Sequence, residues 1–201
     1  MGLPPCTPAS YQPDMSTGRE YHSIALIGFM GAGKSTVGHL LAEILGFDFL
    51  DTDRVIEHRQ KRKISEIFAQ EGEARFRQLE SELCRELEAT HRRVIATGGG
   101  LAVDPANLAS LRRHTLVVCL WARPETLYER VRHLSHRPLL QHPDPPARIR
   151  ELLAARTPAY RQADLLVGVD FRSPIDTARH IAANFRRTQS PPQATAGPVE
   201  P

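Results

Sequence analysis

The feature that most constrains the fold is a glycine-rich segment matching G-x-x-x-x-G-K-[ST], namely Gly28-Phe29-Met30-Gly31-Ala32-Gly33-Lys34-Ser35. It follows a short apolar run at 23–28 and precedes residues 35–45, whose apolar side chains recur at helical spacing. Between a strand and a helix, such a loop directs backbone N–H groups at phosphate oxygens. Lys34 can then reach the β- and γ-phosphates, and the Ser35 hydroxyl can ligate Mg²⁺. The segment therefore predicts a nucleotide-binding loop, the alternative being a glycine turn beside a surface lysine.

Short apolar runs alternate with helical patterns along most of the chain. The predicted strands are 23–28, 47–50, 94–96, 116–121 and 165–169. The predicted helices are 35–45, 53–61, 64–70, 73–89, 107–112, 124–132, 146–160 and 175–187. Because the strands are continuously apolar, we expect a parallel sheet covered on both faces. This pattern and the glycine-rich loop predict a three-layer α/β/α P-loop NTPase fold with a five-stranded parallel sheet, which binds ligands beyond the carboxyl ends of its strands.

Composition narrows the functional classes. The chain has 201 residues, a net charge of +3 and 41% hydrophobic residues, which suits one globular domain. Its basic residues are scattered among acidic ones, so we expect no nucleic-acid binding. No apolar run is long enough for a membrane span, and the N-terminus lacks the apolar core of a secretory signal. Cys84 and Cys119 lie in apolar patterns, which predicts buried thiols and a cytoplasmic location.

The two ends of the chain differ in composition from the middle. Residues 1–20 are proline-rich and polar without periodicity, which predicts a disordered leader. Residues 188–201 have the same character and predict a disordered tail. The folded domain is accordingly predicted at 21–187.

Two carboxylates follow the second predicted strand, in Asp51-Thr52-Asp53. Alternate residues of an extended segment share a side, so both carboxylates can face one site. Asp51 could hold Mg²⁺ directly or through water, and Asp53 could accept the proton of an attacking hydroxyl. The alternative is that Thr52 or Asp53 only caps the following helix.

Glycines and arginines supply further candidates. Gly98-Gly99-Gly100 follows the third predicted strand and allows a ligand to approach the backbone closely, unless it is simply a flexible turn. Arg77, Arg137 and Arg156 are candidates for binding a carboxylate or phosphate, although most arginines are solvated surface residues. The polar, proline-bounded loop at 135–145 contains Arg137 and predicts a mobile cover that excludes water from the phosphates.

Several of these segments, in this order along the chain, resemble the shikimate kinase family over about residues 22–187. The segments that carry the resemblance are residues 28–36, Asp51-Thr52-Asp53, Gly72-Glu73 with Phe76-Arg77, Gly98-Gly99-Gly100, Arg137-Pro138-Leu139-Leu140 and Arg156-Thr157-Pro158-Ala159-Tyr160. The resemblance implies ATP-dependent phosphorylation of the 3-hydroxyl of shikimate, on the route to aromatic amino acids. It also implies a mobile lid at about 132–146.

The resemblance implies a role for each site residue. The implied ATP-binding residues are Gly31, Ala32, Gly33, Lys34, Ser35, Thr36, Arg130, Arg137 and Pro174, the last with Arg130 enclosing the adenine. The implied shikimate-binding residues are Asp53, Arg77, Gly98, Gly99, Gly100 and Arg156, with the arginines on the carboxylate. Lys34, Asp53 and Arg137 are the implied catalytic residues. Ser35 and Asp51 are the implied positions for one Mg²⁺ per subunit.

Three alternatives to a shikimate kinase stay open at this point. A kinase of another small hydroxy acid, such as gluconate, would share the scaffold. A nucleoside monophosphate kinase would need lid and base-reading patterns that are not evident. A nucleotide-binding regulatory module would not need residues that bind the acceptor, such as Asp53. The expected partners are ATP and shikimate, with no nucleic acid and no membrane, and the expected state is a monomer.

Overall fold

The structure, a computed structural model, describes residues 19–133 and 142–189. Within these ranges the strands are β1 (Ser23–Ile27), β2 (Asp48–Asp51), β3 (Arg93–Ala96), β4 (Thr115–Trp121) and β5 (Leu165–Gly168). The α-helices are α1 (Lys34–Leu45), α2 (Thr52–Gln60), α3 (Ile64–Leu87), α4 (Pro105–His114), α5 (Pro124–Val131), α6 (Pro145–Tyr160) and α7 (Pro174–Gln189). A short 3₁₀ helix at Leu101–Val103 precedes α4.

The five strands form one parallel sheet in the order β2-β3-β1-β4-β5. All five residues of β1 are buried, and in β4 only Trp121 is partly exposed. Strands buried on both faces are continuously apolar, because neither face alternates between core and water. The predictions of an α/β fold and a five-stranded parallel sheet are confirmed.

Helices cover the sheet and position the loops at its carboxyl edge. Helix α1 packs against α7, α5 packs against α6, and α3 packs against α4. Helix α7 illustrates why these helices dock: its buried residues recur on one face, at Thr177, Ala178, Ile181, Ala182, Asn184 and Phe185. Cys84 and Cys119 are buried free thiols, as predicted. None of the helices in the described ranges combines the length and the apolar character needed to cross a bilayer.

One predicted helix differs in length from the structure. The helices predicted at 64–70 and 73–89 are both present within α3, where they are separated by the non-helical Gly72, and the second ends at Leu87. Gly72 has φ 82° and ψ 174°, a conformation that residues with a Cβ rarely adopt. The helix predicted at 107–112 is longer, because the Asp104 carboxylate accepts from the Ala106 and Asn107 N–H groups and starts α4 at Pro105.

The predicted leader, lid and tail lie mainly outside the described ranges. The described part begins at Arg19, whose guanidinium donates to the buried Asp164 carboxylate at 2.6 Å. It continues at the other end to Gln189, whose side-chain amide donates to the Tyr21 carbonyl at 2.7 Å. The described ranges therefore include two residues on each side of the predicted domain, 21–187. Residues 134–141, the middle of the predicted lid, lie outside the described residues.

Candidate active site

A cavity of about 1260 Å³ lies at the carboxyl edge of the sheet. Its walls come from the loops after β1, β3 and β5, from the starts of α1, α2 and α7, and from α3, α5 and α6. Every predicted site residue within the described ranges lines this cavity. Arg137, predicted to bridge to the transferring phosphate, lies outside the described residues. The sheet order brings these groups together, because loops after neighbouring parallel strands emerge on the same edge.

The glycine-rich loop has the geometry of a phosphate cradle. Gly31 and Gly33 adopt positive φ values of 79° and 92°, which curl the backbone without the strain that a Cβ would bring. Gly33 is the N-cap of α1 and makes no side-chain capping hydrogen bond, so the first N–H groups of α1 remain available to an anion. The Lys34 ammonium lies against the loop and donates to the Gly28 and Phe29 carbonyls at 2.9 and 3.0 Å.

Lys34 is electrostatically poised for phosphate. Desolvation by the surrounding loop lowers the pKa of Lys34 to about 8, while the charges of Asp53 and Asp51 act in the opposite direction. A desolvated ammonium is short of counter-charge and interacts strongly with an incoming anion. The arrangement therefore favours binding of a polyphosphate at the N-terminus of α1.

Ser35 and Asp51 lie side by side, as the magnesium interpretation requires. The Ser35 hydroxyl donates to Asp51 Oδ2 at 2.8 Å, and Asp51 Oδ1 accepts from the Asp53 and Arg54 N–H groups at 3.1 and 3.4 Å. Asp51 is thus the N-cap of α2, and the alternative that Thr52 or Asp53 provides the cap is wrong. The Thr52 hydroxyl instead accepts from the Gly98 N–H at 2.9 Å.

A hydroxyl oxygen and a carboxylate oxygen are hard ligands of the kind that Mg²⁺ prefers. Within the described ranges, no cluster of three or more His, Cys, Asp or Glu side chains forms a metal cage. The residues present therefore fit a magnesium ion that is shared with nucleotide phosphates and water, with Ser35 and Asp51 as the protein side.

Asp53 faces the glycine segment and a buried glutamate. A Cβ built on Gly98 would come within 3.0 Å of Asp53 Oδ1 and 2.9 Å from Glu80 Oε1, so only glycine leaves both carboxylates in place. Glu80 is fully buried, and its burial raises its pKa to about 6 against the opposing effect of Arg77. Its Oε1 atom has no hydrogen-bond partner among the described residues. A polar atom of this kind, beside a cavity, is well placed to accept from a bound hydroxyl or water.

Arg77 is held by two carboxylates on its own helix. Its guanidinium donates to Glu80 Oε2 at 2.6 Å and to Glu73 Oε1 at 2.8 Å, positions one turn away in either direction. Gly100 lies directly beneath it, since a Cβ there would come to 2.9 Å from Arg77 Cζ. These contacts fix the guanidinium plane at the wall of the cavity.

Arg156 reaches the same cavity from α6 without a carboxylate partner in the described ranges. Its Nη1 atom donates to the Gly99 carbonyl at 3.0 Å, and its guanidinium carbon lies 5.2 Å from the centre of the Phe29 ring. Arg77 and Arg156 therefore both line the cavity beside the glycine segment, Arg77 against Gly100 and Arg156 against Gly99. Two guanidinium groups at one wall suit an anionic ligand such as a carboxylate.

Arg130 and Pro174 lie at the other end of the cavity. The Arg130 guanidinium donates to the Gly31 carbonyl at 3.3 Å and to the Val169 carbonyl at 2.9 Å, which ties the phosphate loop to the loop after β5. Pro174 is the first residue of α7 and lines the cavity with Arg130. The predicted adenine pair thus belongs to the same cavity as the phosphate cradle.

Two groups of the site, Glu80 and the hydroxyl of Tyr160, were not predicted from the sequence. Glu80 lies three residues after Arg77, on a helix whose neighbouring positions Phe76, Leu79 and Leu83 are buried. A charged residue at the edge of an apolar stripe, at helical spacing from a candidate arginine, was the available signal. Tyr160 belongs to a quoted motif, but its partner, the Gly99 carbonyl, is 61 residues away and no local pattern indicates it.

The chain is similar to known shikimate kinases over most of its length. The shikimate kinase family model matches residues 30–186. The shikimate kinase of Thermodesulfovibrio yellowstonii is 42% identical over 165 residues, which span 82% of this chain and 95% of that protein. A structure described as shikimate kinase from Acinetobacter baumannii in complex with shikimate is 37% identical with a TM-score of 0.80, covering 85% of this chain and 96% of that one.

A more distant structure shares the scaffold. A gluconokinase from Sinorhizobium meliloti is 19% identical with a TM-score of 0.53, covering 84% of this chain and 94% of that one, and shows the fold alone. The family match and the first relative each extend over most of the chain. Together with the phosphate cradle, the acidic pair and the two arginines of one cavity, they establish that the chain belongs to the shikimate kinase family.

Proposed function

We propose that this chain is a shikimate kinase, which transfers the γ-phosphate of ATP to the 3-hydroxyl of shikimate. The observation that carries the proposal is that one cavity holds both a phosphate cradle and an acceptor wall with two arginines and a carboxylate. Phosphoryl transfer requires little covalent participation of the protein, and positioning with charge neutralisation supplies most of the rate.

The residues divide between donor and acceptor. On the donor side, the α1 N-terminus and Lys34 neutralise charge on the β- and γ-phosphates, and Arg130 with Pro174 encloses the adenine. On the acceptor side, Arg77 and Arg156 bind the carboxylate, while Gly98, Gly99 and Gly100 let the ring approach the backbone. Asp53 holds the reacting hydroxyl and accepts its proton as the new P–O bond forms.

Mg²⁺ is the cofactor that the donor side fits. Ser35 and Asp51 would hold one ion together with the ATP phosphates, and the ion would supply Lewis-acid neutralisation of the transferring group. Arg137 is proposed to add a second positive charge from the lid.

We also infer a cytoplasmic monomer. The free buried thiols of Cys84 and Cys119 fit a reducing compartment that supplies ATP. The large apolar side chains exposed in the described ranges, Phe68, Val103 and Phe171, come from three separate elements or loops. Scattered exposed apolar residues are normal for monomers. Sedimentation equilibrium at micromolar concentration would test this, and a concentration-dependent dimer mass would contradict it.

The activity is tested by ADP release from purified protein with MgATP, comparing shikimate, gluconate, a nucleoside monophosphate and no acceptor. We expect shikimate-dependent turnover that collapses in both Arg77→Ala and Asp53→Asn. Turnover with gluconate alone would overturn the acceptor assignment and leave the phosphate cradle intact. ATP binding without acceptor-dependent turnover would favour a regulatory module.

A further inference from the structure

The carbonyl oxygen of Gly99 accepts two side-chain hydrogen bonds at the wall of the cavity. The Tyr160 hydroxyl donates to it at 2.9 Å, and Arg156 Nη1 donates to it at 3.0 Å. Both donors belong to α6 and are separated by four residues, so they lie on one face of that helix. A carbonyl oxygen has two lone pairs, and here both are used by this pair of side chains.

Tyr160 is buried like a core residue, but its hydroxyl donates to a backbone group of the site. Its side chain is 1% exposed, and it does not line the cavity. Burial raises the pKa of Tyr160 to about 12, with the nearby charge of Arg156 opposing the shift. The hydroxyl therefore remains protonated, as a donor, throughout the working pH range. A buried hydroxyl needs a partner, and the Gly99 carbonyl supplies it.

The guanidinium groups of Arg77 and Arg156 are held by different kinds of contact. Two carboxylates, Glu73 and Glu80, fix the Arg77 guanidinium. Arg156 has no ion pair within the described ranges: it donates to the Gly99 carbonyl, packs on the face of the Phe29 ring and lies beside the Tyr160 hydroxyl. These contacts orient the guanidinium only if the carbonyl itself is fixed.

We propose that Tyr160 is a positioning residue for acceptor binding: its hydroxyl fixes the Gly99 carbonyl, which in turn orients Arg156 towards the acceptor carboxylate. This inference rests on the proposed function, because it assumes that Arg156 binds shikimate. Removal of the hydroxyl leaves Arg156 as the sole donor to a peptide group that can now tilt. The acceptor then meets a less ordered guanidinium, whereas the phosphate cradle is unchanged.

The test is Tyr160→Phe, which keeps the ring and removes only the donor. We expect KM for shikimate to rise about fivefold to tenfold, the equivalent of one hydrogen bond to a charged or positioned group. We expect kcat and KM for MgATP to stay within about twofold of wild type, since uniform binding of the acceptor is what is lost. Thr157→Val is the matched control, because the Thr157 hydroxyl donates to the Leu153 carbonyl at 2.7 Å within the same helix. This control should leave KM for shikimate unchanged.

Two further variants separate positioning from packing. Replacing Tyr160 by 4-aminophenylalanine restores an N–H donor at the same place and should recover most of the lost affinity for shikimate. In an Arg156→Ala background, Tyr160→Phe should produce no further loss in kcat/KM for shikimate, because the two residues act through one path.

Other results would overturn the inference. It is wrong if Tyr160→Phe leaves KM for shikimate at the wild-type value, if Thr157→Val raises it equally, or if the effect persists in full without Arg156. In each of these cases wild-type turnover with shikimate would still support the proposed function. Wild-type protein without shikimate-dependent turnover would overturn the proposed function and this inference together.

Discussion

Replacing Gly98 by alanine should damage catalysis while sparing nucleotide binding. The new Cβ would lie under 3.0 Å from Asp53 Oδ1 and 2.9 Å from Glu80 Oε1, whereas ordinary contact begins at 3.4 Å. The Asp53 carboxylate must therefore retreat by more than about 0.5 Å to restore an ordinary contact, and it can do so into the cavity that it lines. Catalytic groups need to be held within about 0.5 Å of their working position.

The size of the effect follows from the displacement. A misplacement of about 1 Å can cost roughly 100-fold in rate, and complete loss of a general base costs about 10²- to 10⁴-fold. We expect kcat of Gly98→Ala to fall between about 10-fold and 100-fold. Because the Asp53 carboxylate can move into the cavity, the free energy of unfolding should fall by only about 1 kcal/mol, the lower end of the range for overpacking.

The assay is steady-state ADP release with shikimate and MgATP varied independently, together with a direct titration of MgATP binding and chemical denaturation. Gly99→Ala is the matched comparison, because its Cβ would meet no protein atom closer than 3.5 Å. It should keep Asp53 in place and lose less in kcat than Gly98→Ala. The reasoning would be refuted by wild-type kcat in Gly98→Ala, or by a loss of MgATP affinity as large as the loss of kcat.

Three further predictions concern the acceptor wall and the base of the sheet. Gly100→Ala should displace the Arg77 guanidinium, because the new Cβ would lie 2.9 Å from Arg77 Cζ. In steady-state kinetics KM for shikimate should rise about tenfold, and an unchanged KM would contradict this. The raised pKa of Glu80, about 6 against 4.5, means that the folded state loses about 2 kcal/mol of stability as pH rises through this interval. Urea denaturation of the wild type and of Glu80→Gln from pH 4 to 7 should show this loss of stability in the wild type alone. The same pH dependence of the free energy of unfolding in both proteins would refute the prediction. Asp164→Asn should lower the free energy of unfolding, measured in urea, by about 2 kcal/mol, because the buried carboxylate accepts from Arg19. Its kcat should stay at the wild-type value. A loss of kcat with unchanged stability would contradict this prediction.

Much of the site was predictable because it is local in sequence. The phosphate cradle is one continuous segment at 28–35, and its function depends on backbone geometry that glycine positions make possible. Asp51 is the last residue of β2 and Asp53 lies two residues further on, so their place at the carboxyl edge of the sheet needs no knowledge of the rest of the fold. The sheet itself was predictable because buried parallel strands are apolar along their whole length.

The start of a helix is hard to predict where several neighbouring residues could provide its N-cap. Asp51, Thr52 and Asp53 are all acceptable N-cap residues, and the pattern cannot say which one takes the role. The structure assigns the cap to Asp51, which at the same time accepts from Ser35, so the cap and the candidate metal position coincide. The break in α3 at Gly72, by contrast, was predicted correctly, because glycine is a poor helix former and readily adopts a positive φ.

Local sequence patterns were enough to predict the class of fold, the phosphate loop and the candidate residues of the acceptor site. The partners of those residues depend on the packing of distant elements: Arg77 lies between Glu73 and Glu80, and Arg156 donates to a carbonyl 57 residues away. The physical reason is that hydrophobic periodicity sets which face of an element is buried, whereas strand order and helix packing set which buried faces meet. The burial that gives Lys34 and Glu80 their altered pKa values likewise arises only when those faces close around one cavity.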